Sequence, residues 1–130
     1  MKTIEVVAAI IHEGNSFLAT QRGYGEFKGL WEFPGGKIDD GESNEEALIR
    51  EIKEELNCDI KINKFLLTIE YTYPTFHLIM HCYLCNLLSE FTLLEHDDYQ
   101  WLDKNTLRDV EWLEADIEVV DYLLRRLSYE

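Results

Sequence analysis

Positive charge is scarce in this sequence: 12 Lys and Arg stand against 26 Asp and Glu among 130 residues, a net charge of −14. Nucleic-acid backbones and anionic membranes are held by clustered cations, so this balance excludes both as broad electrostatic partners. A phosphorylated small molecule is repelled as well, unless bound cations intervene. Apolar runs are also short. Residues 4–11 are interrupted by Glu5 and fall far below the ~20 residues a membrane helix needs, and no small-residue cleavage pattern follows them. Cysteine is scarce, with only Cys58, Cys82 and Cys85, and together with the missing export signal this points to a reducing, cytoplasmic setting. Cys82 and Cys85 form a C-x-x-C pair, yet they sit in a strand pattern where residues three apart face opposite sides, so a shared metal or redox site is not expected. The length argues for one domain over residues 1–130, with a core large enough to need neither disulfides nor a structural metal.

Strand signals open the chain: residues 4–11 read as a mostly buried strand, Glu13-Gly14-Asn15 as a turn and residues 17–20 as a second strand. A loop with three glycines covers residues 23–29, and Pro34-Gly35-Gly36 is expected to stop any regular element. The clearest helix is 43–56. Ser43 and Glu46 form a capping box, Leu48, Ile49, Ile52 and Leu56 fall on one side, and Asn57 stands where a left-handed residue ends the helix. Two long strands, 60–73 and 75–88, are joined near Pro74. On the second, Phe76, Leu78, Met80, Cys82 and Leu84 make an apolar face, while the mixed face of His77, Ile79, His81, Tyr83 and Cys85 either lines a site or meets solvent. A short strand at 99–102 and an amphipathic helix at 117–127 complete an α/β or α+β sandwich. The four histidines show no metal-ligand spacing and are assigned no role.

The helix 43–56 carries an unusual gathering of carboxylates. Like charges three and four apart destabilise a helix by a few tenths of a kcal/mol per pair, so Glu51, Glu54 and Glu55 are a poor choice for solubility alone. Carboxylates beside a glycine-rich segment are what a hard divalent cation such as Mg²⁺ requires. From Gly36, five residues lead to Glu42, seven more to Arg50, and then follow Glu51, Ile52, Lys53, Glu54, Glu55, Leu56, Asn57 and Cys58. This resembles the Nudix box, a Gly, five residues, Glu, seven residues, then Arg-Glu-aliphatic-x-Glu-Glu-x-Gly-aliphatic. Asn57 replaces the Gly and Cys58 the aliphatic residue, and neither departure removes a ligand. The run 31–38 looks like the segment before the helix in MutT-type nucleoside triphosphate pyrophosphohydrolases, whereas residues 4–11 and 115–117 are more similar to the CTP-hydrolysing branch.

The resemblance implies an α/β/α sandwich around a mixed sheet and Mg²⁺-dependent hydrolysis, with Mn²⁺ as a substitute, of a nucleoside triphosphate to monophosphate and pyrophosphate. By motif position Glu51, Glu54 and Glu55 hold the metal, with the Gly35 carbonyl as a further ligand. Arg50 orients the carboxylates, Glu95 supplies an additional one, and the base is left open between Glu51 and Glu95. Arg22 and Lys37 match positions that face the phosphates. Phe33, Tyr73 and Phe76 are candidates to pack on the base, and Asp116 stands where MutT-type enzymes carry an Asn that contacts it. The bland role for Asp116 is N-cap of the last helix. Thr75 and Phe76 depart from the oxidised-guanine enzymes, which leaves CTP, dCTP, another modified nucleotide and 8-oxo-dGTP as expected substrates. The expected partner is therefore a free nucleotide, not a nucleic acid or a membrane. The alternative is a non-catalytic Nudix-fold module that binds a nucleotide or a protein. Such modules usually lose a box carboxylate, and Glu42, Glu51, Glu54 and Glu55 are all kept here.

Overall fold

The computed structural model describes residues 1–127. The elements run β1 (Lys2–Glu13), β2 (Ser16–Arg22), β3 (Trp31–Glu32), β4 (Gly35–Lys37), α1 (Asn44–Leu56), β5 (Ile60–Thr72), β6 (Phe76–Leu87), β7 (His96–Leu102) and α2 (Glu114–Leu127). The strands form one mixed sheet in the order β3-β2-β1-β6-β5, with β4 also on β1 and β7 also on β2. β1 and β6 run parallel in an unbroken register from Lys2 opposite Phe76 to Ile11 opposite Cys85, and every other pairing is antiparallel.

Strand alternation divides the core between the two faces of the sheet. On β1, Ala8 and Ile10 join Val119, Val120 and Leu123 of α2. Val7, Ala9 and Ile11 point the other way, under Ala47, Leu48, Ile52 and Leu56 of α1. The helices therefore cover opposite faces, which is the α/β/α layering expected. Cys82 lies in the first core and Cys85 in the second, so their sulfurs do diverge. No helix among the described residues is long and apolar enough to cross a membrane.

Helix α1 forms as its sequence dictates. The Ser43 side chain accepts from the Glu46 N–H at 3.1 Å, the Glu46 carboxylate accepts from the Ser43 N–H at 2.8 Å, and Asn57 closes the helix in the left-handed region at φ 49°. Ile49 is a correction: it is 49% exposed, because the buried arc centres on Leu48, Ile52 and Leu56 and takes in Ala47 and Glu55 instead.

Other elements differ from expectation for identifiable reasons. Gly35 and Gly36 do not end regular structure; with Lys37 they pair antiparallel to Ala8, Val7 and Val6. Glycine is what permits this, since a Cβ on Gly35 would lie 2.0 Å from the Val7 carbonyl oxygen. β7 begins at His96 rather than Tyr99, and α2 begins at Glu114 rather than Ile117. On β6, Tyr83 and Cys85 of the mixed face are buried beneath α1, while Phe76, Leu78 and Met80 of the apolar face line the principal cavity.

Candidate active site

A cavity of about 580 Å³ opens between β1, the Gly35–Lys37 strand, α1 and the start of α2. That volume lies within the usual range for small-molecule sites. One wall is acidic, formed by Glu32, Glu51, Glu55 and Glu95. Arg22 and Lys37 supply cations, and Phe27, Phe33, Tyr73 and Phe76 make an aromatic end, with Asp116 alongside.

The chain places each group by a separate local device. Gly36 passes so close to α1 that a Cβ there would sit 2.2 Å from a Glu51 carboxylate oxygen. The Gly35 N–H donates to Glu55 Oε1 at 3.0 Å. The β6–β7 loop docks on the C-terminal end of α1, where the N–H groups of Thr92 and Leu94 donate to the carbonyls of Leu56 and Glu55. That docking delivers Glu95, the next residue, to the cavity.

Arg50 does not line the cavity; it gathers Glu51 of the acidic wall together with Glu42 and Glu54 around one guanidinium. Its guanidinium donates to both oxygens of Glu42 at 2.7 and 2.9 Å, to Glu51 at 2.8 Å, to Glu54 at 3.2 Å and to the Lys37 carbonyl at 3.0 Å. Arg50 and the Asp39 N–H hold the Glu42 carboxyl at a pKa of about 2. Glu54 is drawn to the outer side of Arg50 with a side chain 55% exposed, and it is the one member of the expected ligand set absent from the cavity wall.

Glu55 is the opposite case. Burial pushes its carboxyl up to about 9, aided by repulsion from Glu32 and Glu51 and only partly offset by the Gly35 N–H. Burial also raises Glu51, although Arg50 opposes the shift. Among the described residues, no three His, Cys, Asp or Glu side chains are gathered closely enough to hold a metal ion as they stand. The donor chemistry nevertheless fits a hard divalent cation. The oxygen donors of Glu51, Glu55 and Glu95 face one space, and no cation among the described residues hydrogen-bonds or ion-pairs with Glu55 to offset its burial.

The expected base-packing residues prove unequal. Phe33 is buried and stacks on Trp112 at 4.6 Å between centroids. Tyr73 is also buried; its ring stacks on Phe76 and its hydroxyl accepts from the Ala115 N–H at 3.1 Å. That hydroxyl supplies a cap to α2, so Asp116 is not the N-cap. It lies inside the first turn instead, and its Oδ2 accepts from the Phe33 N–H at 2.9 Å. Burial, with repulsion from Glu32, raises the Asp116 carboxyl to about 8, which favours a protonated form able to donate as well as accept. Phe27, absent from the sequence reading, packs on Tyr73 and Phe76 with centroids 5.3 and 6.4 Å away.

Sequence reasoning also missed Glu32 and His96. Glu32 accepts from Arg22 Nη2 at 3.0 Å, from Arg22 Nε at 3.3 Å and from His96 Nε2 at 3.1 Å. Burial opposes its charge, but the His96 hydrogen bond and Arg22 outweigh burial and hold Glu32 below its usual range. The signal available was the Arg22 cation followed ten residues later by an acid within a strand–loop–strand pattern.

The family described as NUDIX domain matches residues 1–123. The chain belongs to the NUDIX family. An 8-oxo-dGTP diphosphatase of Haemophilus influenzae is 32% identical over 126 residues, covering 95% of this chain and 93% of that protein. A CTP pyrophosphohydrolase of Escherichia coli is 45% identical over 67 residues, which span 51% of this chain and only 50% of that relative. Among solved structures, the E. coli ORF135 protein superposes with a TM-score of 0.85 at 29% identity, covering 98% of this chain and 94% of the other. A MutT protein from methicillin-resistant Staphylococcus aureus 252 is 38% identical with a TM-score of 0.75, covering 97% and 99%. This NUDIX chain thus has the mixed sheet and flanking helices of MutT structures.

Proposed function

We propose that this NUDIX protein hydrolyses a nucleoside triphosphate to the monophosphate and pyrophosphate, with Mg²⁺ as cofactor and CTP or dCTP as substrate. Membership of the family and its named relatives make it a hydrolase acting on phosphoanhydride bonds. The finer reading is carried by one observation: a single cavity joins an acidic wall, two cations and an aromatic end. Glu51 and Glu55, which line the cavity, would hold the metal with the Gly35 carbonyl as a further ligand, and Glu54, outside the cavity wall, would join them on the strength of its motif position alone. A divalent cation there neutralises the polyphosphate, polarises its oxygens and makes water a usable nucleophile near neutral pH.

The chain's own groups account for the rest. Arg50 would fix the orientation of Glu51 and Glu54, to which it donates, Arg22 and Lys37 would face the phosphates, and either Glu51 or Glu95, both lining the cavity, would take the proton of the attacking water. Phe76, half-buried beside Tyr73, offers its ring to the base, and Asp116 meets the polar edge of that base. As a neutral acid it offers cytosine both a donor and an acceptor. The acidic surface keeps nucleic-acid strands away while a metal-complexed nucleotide enters.

The test is a panel of CTP, dCTP, 8-oxo-dGTP and dGTP with Mg²⁺, read for product and kcat/KM. Pyrophosphate release with preference for the cytosine nucleotides is expected. Orthophosphate without pyrophosphate would refute the bond assignment, and preference for 8-oxo-dGTP would refute the base assignment. Full activity of Glu54→Gln would remove Glu54 from the metal set.

A further inference from the structure

His96 is the most enclosed ionisable side chain beside the cavity that the reaction does not use. Its side chain is 3% exposed, its Nε2 meets Glu32, and its Nδ1 is buried with no hydrogen-bond partner among the described residues. It arrives there through an irregularity. β2 and β7 pair with Gln21 opposite Asp98, then shift register so that Arg22 faces His96 rather than Asp97. Such shifts re-aim side chains, and this one brings an imidazole and a guanidinium to the same carboxylate.

Glu32 is the hinge of this arrangement. Its Oε1 takes Arg22 Nη2, and its Oε2 is shared by Arg22 Nε and His96 Nε2. Two of the five guanidinium N–H bonds are consumed on one edge, and the Tyr24 ring lies 5.8 Å from the guanidinium carbon over one face. The outer edge of Arg22 stays available on a cavity-lining residue. Among the described residues Arg22 and His96 are the side chains that hold the Glu32 carboxylate, so a donor that pins Oε2 decides where the carboxylate rests.

We propose that His96 is a positioning residue for Arg22: donating from Nε2 to Glu32, it fixes the carboxylate that aims the guanidinium at the substrate triphosphate. This rests on the proposed triphosphate hydrolysis. The bond requires Nε2 to carry the proton and leaves Nδ1 without a task. A side chain that donates from the Nε2 position alone therefore suffices, and glutamine is such a side chain.

The experiment measures kcat and KM, with the best substrate of the panel above, for the wild type and for His96→Leu, His96→Gln, Arg22→Gln, Glu32→Gln and the Arg22→Gln/His96→Leu double variant. Loss of a hydrogen bond to a charged group predicts a KM roughly tenfold higher in His96→Leu, with kcat little changed. Damage to the fold alone would lower the active fraction, and so the apparent kcat, while leaving KM in place. His96→Gln is expected to stay within about threefold of the wild-type KM, and the double variant to be no worse than Arg22→Gln alone. Glu32→Gln keeps the side-chain volume, is expected to raise KM as Arg22→Gln does, and carries the test if the leucine variant does not fold. A wild-type KM in His96→Leu, an equal rise in the Leu and Gln variants, or additive losses in the double variant would overturn the proposal. A wild type inactive on every nucleotide would instead refute the proposed function.

Discussion

Glu55→Gln is expected to make the metal-free protein more stable while it disables the enzyme. The Glu55 carboxyl is 8% exposed and raised from 4.5 to about 9, first by burial and then by Glu32 and Glu51. Below the unfolded value both states are protonated and the group contributes no pH dependence. Between 4.5 and about 9 only the folded state holds the proton, so stability falls as pH rises, by about 1.4 kcal/mol per unit. At pH 7 the accumulated cost is about 3 kcal/mol relative to acid. Gln carries no such cost, and its side-chain oxygen still accepts from the Gly35 N–H. Urea unfolding in EDTA at several pH values between 5 and 8 reads the difference directly, because the other carboxylates are common to both proteins. The wild type is expected to lose stability relative to the variant as pH rises, and the two to converge toward pH 5. Added Mg²⁺ is expected to stabilise the wild type more than the variant, since it favours the ionised ligand. Parallel pH profiles, or a variant less stable than the wild type at pH 8 in EDTA, would refute the account of Glu55 as a buried carboxylate without a hydrogen-bonded cation.

Arg50→Lys replaces a fork that reaches Glu42, Glu51, Glu54 and the Lys37 carbonyl with a single ammonium. Its kcat/KM is expected to fall by about 10- to 100-fold with little change in thermal midpoint, because the pairs are partly exposed; an equally active variant would show that carboxylate orientation does not depend on the fork. Gly35→Ala drives a Cβ into the Val7 carbonyl and is expected to cost about 1–3 kcal/mol in urea unfolding, with an unchanged midpoint refuting the close packing of β4 on β1. Asp116→Asn keeps an acceptor for the Phe33 N–H but removes the titration near 8. The wild-type preference for CTP over dGTP is expected to change as pH rises through about 8, where the carboxyl loses its donor, and the Asn variant's preference to stay flat. Identical pH profiles of the two would remove Asp116 from base recognition.

What could be read from the chain alone was whatever is written within a turn of helix or a stretch of strand. The capping box, the Asn57 terminus and the mostly buried first strand are local rules, and each reappears in the structure. β4 escaped because it is three residues long and two are glycines, for which no side-chain pattern exists. The cavity's place on the apolar face of β6 escaped because a strand pattern does not say which face a helix will cover. α1 covers Tyr83 and Cys85, while Phe76, Leu78 and Met80 on the other face are left to line the cavity. Glu32 and His96 are 64 residues apart and meet only because both flank β2.

The scarcity of cations acquires a physical meaning from these contacts. Arg50 is spent on Glu42, Glu51 and Glu54, and Arg22 is held on one edge by Glu32. Neither guanidinium hydrogen-bonds Glu55, which Arg22 meets only through longer-range attraction, and burial raises that carboxyl to about 9. An arginine beside Glu55 would stabilise the empty protein and would occupy the space a divalent cation needs. Among the described residues Arg22 and Lys37 line the cavity while Arg50 gathers Glu42, Glu51 and Glu54 outside it, so the most buried glutamate of the acidic wall is left without a hydrogen-bonded cation.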